Sequence, residues 1–146
     1  MIERMLADGD LQRIPASREQ ADRLLAQARS HANSAAKVCD DDPEGGYALA
    51  YDAARKALTA ILENQGLRAT SKGGHIAVFA AVQAQLDPPM GKIVRRFNRM
   101  RSRRNVAEYP PTDAPRLTSD DVREDLASSN EIMQLTSRIL DEMSPF

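Results

Sequence analysis

The segment Arg103-Arg104-Asn105-Val106-Ala107-Glu108-Tyr109 concentrates more chemistry than any other stretch of this chain. Guanidinium forks match phosphate oxygens, and an amide or a phenol can orient a ribose or a phosphate beside them. Upstream, Met90, Ile93, Val94, Phe97 and Met100 form an apolar helical stripe. Continued by helical steps, that stripe reaches Arg101, Arg104 and Glu108, so it turns from aliphatic to ionic in its last two turns. A guanidinium pointed toward a bundle interior is costly unless it is paired or faces a polar cleft. Two readings follow. Either Arg104–Glu108 is a structural ion pair at a helix end, or Arg104, with Asn105, Glu108 and Tyr109, lines a phosphate site. Lys92, Arg95, Arg96, Arg99 and Arg103 fall on other faces, where they are expected to be solvated. With Arg101 they are the candidate nucleic-acid contacts.

The charge distribution sharpens this focus. Net charge is −1, yet seven of the 20 Lys and Arg residues lie between Lys92 and Arg104 with no acidic residue among them. Elsewhere 13 basic residues face 21 acidic ones. One concentrated cationic segment in a near-neutral chain suits a local anion-binding surface better than a general nucleic-acid coat.

Other chemistry is sparse. His75 follows Gly73-Gly74 near a helix start, where a capping or core role outweighs catalysis, and His31 is expected to be exposed. Two distant histidines and the single Cys39 make no metal site, and no cofactor is called for. Thr70-Ser71-Lys72-Gly73-Gly74 lacks the spacing of a phosphate loop and reads as a flexible turn. Tyr47 and Tyr51 read as core or dimer-interface aromatics. With no Trp and three Phe, a stacking platform for single strands has little support. No short helix pair precedes the basic helix as helix-turn-helix DNA binding requires.

The elements that must position these groups read as helices, about five in an antiparallel bundle, with no strands. Ala21, Leu24, Leu25, Ala28, Ala32, Ala35, Ala36 and Cys39 form a stripe from Ser17 onward, with Ser17 and Gln20 as its N-terminal cap. Asp40-Asp41-Asp42-Pro43 ends that helix and opens a second, about 44–65, bearing Tyr47, Ala50, Tyr51, Ala54, Leu58, Ile61 and Leu62. Gly66 stands where a left-handed cap belongs. A polar loop over 67–74 leads to a third helix, about 75–86, then Pro88-Pro89 and the basic fourth helix, about 90–108. Pro110-Pro111 and Pro115 form a stiff connector, and Thr118 with Asp121 caps the last helix. Many stripe positions are Ala, which favours close helix packing. Residues 17–146 read as a single bundle domain preceded by a short helix or loose arm over 1–16.

At 146 residues, with 42% apolar and 28% charged residues, the chain suits one ordinary core and excludes whole-chain disorder. No apolar run approaches a membrane span, and the N-terminus has no signal-peptide core, so the expected compartment is the cytoplasm, with no membrane partner.

Ala53-Ala54-Arg55-Lys56-Ala57-Leu58-Thr59-Ala60-Ile61-Leu62, then Gly66, then Gly74-His75-Ile76, resembles the second and third helices of HEPN-superfamily domains. Arg103-Arg104-Asn105-Val106-Ala107-Glu108-Tyr109 is similar to their signature, an Arg, a polar residue and, a few positions on, a His. With the Gly-rich loop and the following Pro110, the segment is similar more narrowly to an actinobacterial branch of that superfamily. The resemblance covers about 47–110. It implies a helical bundle that homodimerises so that the fourth helices form one cleft binding RNA or a nucleotide. Many such domains are metal-independent ribonucleases, often toxins paired with a nucleotidyltransferase antitoxin or parts of defence systems. Arg104 and Asn105 correspond to the Arg–polar pair. The His is absent: with four residues intervening, Arg103 meets Glu108 and Arg104 meets Tyr109. Tyr near 10 and Glu near 4.3 start far from neutral-pH proton transfer. The other class of function is a non-catalytic interaction module that binds a protein partner through a bundle face.

Overall fold

A computed structural model describes residues 1–113 and 115–143. Among the described residues six helices form an all-α bundle: α1 (Ile2–Ala7), α2 (Arg18–Val38), α3 (Pro43–Gln65), α4 (Gly74–Leu86), α5 (Gly91–Glu108) and α6 (Ser119–Glu142). The expectation of no strands is corrected, because β1 (Leu11–Arg13) pairs antiparallel with β2 (Leu67–Ala69). No helix among the described residues is long and apolar enough to cross a membrane.

The caps lie where local chemistry puts them. Ser17 accepts a hydrogen bond from the Gln20 N–H, and Asp42 from that of Gly45, ahead of Pro43 in the first turn of α3. Thr118 and Asp121 form a reciprocal capping box on α6. Gly66 ends α3 at φ 83°. A Cβ there would lie 2.9 Å from the Ile14 carbonyl oxygen, so the position needs glycine twice over.

The central helix is α3. It packs against α2, α4, α5 and α6, and its buried residues lie on nearly every face. Alanines on α2 and α3 let the two run close together. Small residues also admit polar ties: the Ser129 hydroxyl donates to the Ala50 carbonyl at 2.7 Å and that of Thr136 to the Ala57 carbonyl at 3.1 Å. These bonds lock α6 onto α3.

The N-terminal segment packs onto the bundle: Ile2, Met5 and Leu11 are buried in the core. The polar loop expected over 67–74 contains β2, and Leu11 faces Ala69 across the pair. The Thr70 N–H donates to the Asp10 carbonyl at 3.0 Å. Gly73 approaches that carbonyl so closely that a Cβ would sit 2.3 Å from its oxygen. Residues 9–14 thus strap the chain that leads into α4, and this strap sets where His75 begins its helix.

Candidate functional site

Helix α5 buries Val94, Phe97 and Met100. The Phe97 ring stacks on Tyr51 of α3, with centroids 5.2 Å apart and planes 16° from parallel. One turn beyond Met100 the same side of α5 becomes cationic. Arg104 is 28% exposed; its Nη2 lies 3.0 Å from Glu108 Oε1, and its guanidinium carbon 5.5 Å from the Tyr51 ring centroid. Arg104 is thus ion-paired within α5, and its guanidinium also lies over an aromatic face.

The Tyr51 hydroxyl lies 2.7 Å from His75 Nδ1, and the two rings are 5.5 Å apart. A single buried phenol thus bridges the guanidinium of α5 and the imidazole of α4. Burial pushes the Tyr51 hydroxyl up to about 12, against the opposing pull of Arg104, Arg55 and Arg101, so it stays a phenol at neutral pH. Burial also lowers His75 below its ordinary value of 6.5, helped by Arg55 and Arg104 and opposed by Asp52. The imidazole is neutral at pH 7.

Arg55 completes the cluster from α3. Its Nε is 3.5 Å from Asp52 Oδ1 but makes no hydrogen bond. Arg55 and His75 together line a 380 Å³ pocket that includes Thr59, Glu63, Arg68 and Ser71. Three guanidiniums, those of Arg55, Arg101 and Arg104, act on the Tyr51–His75 pair against one carboxylate, Asp52. The arrangement suits an anion beside a neutral imidazole.

Other residues singled out from the sequence are scattered. Asn105 is exposed, and Tyr109 is 79% exposed at the end of α5. Arg101 bonds Asn98 on its own helix. Arg95 pairs with Asp87 at 2.8 Å and Arg96 with Glu131. Lys92 and Arg99 have no acidic partner among the described residues, and with Arg95 and Arg96 they line a 350 Å³ surface groove. The expectation that Arg103 is solvated is corrected. Its Nη1 lies 2.9 Å from Asp125 Oδ2, and Asp125 is 5% exposed and also accepts the Tyr47 hydroxyl at 2.6 Å. His31 is half-buried, its Nε2 2.9 Å from Lys56 Nζ. No group of three or more His, Cys, Asp or Glu among the described residues could hold a metal ion.

Sequence reasoning passed over Tyr51, Arg55 and His75 as site residues. One signal was present. Asp52, Arg55, Lys56 and Thr59 recur at helical steps as a polar stripe on a largely apolar helix.

The family model of the HEPN domain matches residues 14–140. The chain belongs to the HEPN family. That match spans α2 to α6 almost entirely and includes every residue of the Arg104–Tyr51–His75 cluster. No curated protein and no solved structure matches the chain. In this HEPN domain the polar end of α5 meets a histidine from α4, where the resemblance implies one on the helix of the Arg itself.

Proposed function

We propose that this HEPN domain binds single-stranded RNA through its backbone phosphates, in the cleft where α3, α4 and α5 meet. The observation that carries the reading is the Arg104 guanidinium over Tyr51, with Arg55 and Arg101 acting on the same ring. Three cations against one carboxylate, half-withdrawn from solvent, favour a phosphodiester over a neutral ligand. Lys92 and Arg99, free of acidic partners among the described residues, extend the cationic surface back along α5 and suit a strand longer than one nucleotide.

Titrating a fluorescently labelled RNA oligomer with protein, read by anisotropy, tests this. Arg104→Ala weakens binding roughly 10- to 100-fold, the loss expected of a charge-assisted contact to phosphate, and raised salt weakens the wild type. Equal affinity of wild type and Arg104→Ala would refute the reading.

A second copy of the chain is the partner favoured by one further observation. Ile76 at the start of α4 and Val106 and Tyr109 at the end of α5 are exposed apolar or aromatic side chains on the two helices that border the cleft. Light scattering then gives about twice the 16.1 kDa chain mass. A mass of one chain at micromolar concentration would refute the dimer and leave the RNA cleft to a single subunit.

A further inference from the structure

We propose that the groove between α2 and α6 docks an extended, acidic peptide segment of a partner protein. The site is independent of the RNA cleft: every residue that lines it belongs to α2 or α6, and none to α3, α4 or α5. The groove has a volume of 640 Å³, with Arg29 of α2 and Arg138 of α6 on its walls. Neither guanidinium has a carboxylate or hydrogen-bond partner among the described residues. The two ends of the same helix pair are different. Arg18 donates to the Leu140 carbonyl at 2.8 Å and pairs with Asp141, and Arg123 pairs with Asp40 at 2.7 Å. Asp141, three residues from Arg138, is thereby already engaged. No acidic side chain lines the groove, although acidic residues outnumber basic ones by 21 to 20 in the chain.

Those end contacts fix the helices as antiparallel, with Arg18 beside Leu140 and Asp40 beside Arg123. Interpolated between them, Arg29 stands near the turn of α6 that holds Asn130 and Met133. Arg138 lies up to two turns farther along. The stretch of α6 from Asn130 to Arg138 spans about 12 Å, which sets the two cations roughly 10 Å apart along the groove. On an extended or polyproline-like chain, at about 3.1–3.4 Å per residue, carboxylates three or four residues apart match that separation. One small anion would engage one guanidinium and leave the other unneutralised.

Between the cations the walls carry amides and a hydroxyl: Asn33, Asn130, Gln134 and Ser137. None of these side chains has a hydrogen-bond partner among the described residues. A side-chain amide offers a donor and an acceptor together, which pair with the C=O and N–H of a peptide backbone. Ala32 and Met133 make an apolar floor, 6% and 7% exposed, and a methionine adapts its shape to varied side chains. No aromatic side chain lines the groove, so the bases of a nucleic-acid strand find nothing to stack on. Guanidinium forks at both ends, with amides between them, suit a segment that carries carboxylates at its ends and peptide groups between.

A phage-displayed library of short random peptides, panned against the immobilised full chain, tests this, with enriched peptides then measured by fluorescence anisotropy. Enriched peptides are expected to carry two Asp or Glu residues three or four positions apart. Changing both to Asn or Gln weakens binding at least about tenfold, and Arg29→Gln or Arg138→Gln in the protein weakens it about tenfold each. Both side chains are exposed, so these variants leave the urea midpoint and the RNA titration unchanged. Arg104→Ala, in the RNA cleft, leaves peptide binding unchanged. Absence of enrichment, enrichment that ignores acidic residues, or binding that survives in the Arg29→Gln/Arg138→Gln double variant would overturn the peptide site. Loss of RNA binding in that double variant would assign the groove to nucleic acid, and loss of self-association would assign it to a second copy of the chain. Either result overturns the peptide site as well.

Discussion

Replacing Asp125 by alanine tests how the cleft is held in place. Asp125 lies on α6 with its side chain 5% exposed. It accepts the Tyr47 hydroxyl from α3 at 2.6 Å and pairs with Arg103 of α5 at 2.9 Å. Burial and the neighbouring Asp125 push the Tyr47 hydroxyl far above its ordinary range, so it remains a donor at every accessible pH. In Asp125→Ala that donor keeps only a long 3.5 Å approach to the Met100 carbonyl. A buried hydrogen bond to a charged group contributes about 1.5–3 kcal/mol. The Arg103 pair adds at most about 0.5 kcal/mol, because Arg103 is 38% exposed and solvent screens it. The expected cost is about 3 kcal/mol, or roughly 6–12 °C in Tm for a chain of this size. Urea and thermal unfolding of wild type, Asp125→Ala, Tyr47→Phe and the double variant measure it. In the Tyr47→Phe background the cost of Asp125→Ala falls by about 1–2 kcal/mol, since the stranded donor is gone. A cost below about 1 kcal/mol, or no coupling between the two positions, would show that the Tyr47–Asp125 bond does not hold α6 to α3.

Three further expectations follow from the same geometry. Arg104→Ala costs only about 1–2 kcal/mol in denaturation experiments, because its pair with Glu108 is 28% and 37% exposed and its contact with Tyr51 is modest; a loss above about 4 kcal/mol would make Arg104 an architectural residue. Gly73→Ala forces a Cβ to within 2.3 Å of the Asp10 carbonyl oxygen and destabilises by about 1–3 kcal/mol in the same experiments, and a neutral substitution would show that the strap does not constrain α4. Burial lowers both His75 and His31 below 6.5, so the unfolded chain binds more protons than the folded one as pH falls through that value. Stability therefore declines from about pH 7.5 to about pH 5.5, more in wild type than in His75→Gln, and a flat urea midpoint over that window would contradict the burial of both rings.

Much of the architecture was legible because its signals are local. Ser17, Gly66 and the Thr118–Asp121 box are caps that a few neighbouring residues specify, and the structure has each in place. The Arg104–Glu108 pair follows from spacing on one helix turn. The sheet was not legible: three-residue strands are too short for alternation to show, and Leu11 and Ala69 are far apart in the sequence. The same limit hid the tie from Arg103 to Asp125, since helical periodicity places Arg103 on the outer side of α5 without showing that α6 covers it. It also hid the candidate site. Tyr51, His75 and Arg104 come from three helices, and no spacing within one element encodes their meeting.

The proposed phosphate site between Arg104 and His75 is tested most directly by the titration of the His75 imidazole, followed by NMR of isotope-labelled histidine. The expected midpoint lies below 6.5 in wild type. That midpoint is expected to rise when Arg104→Ala removes a neighbouring cation, and to rise when bound RNA brings a phosphate beside the ring. A His75 midpoint indifferent to both perturbations would place the imidazole outside the phosphate site and contradict the account.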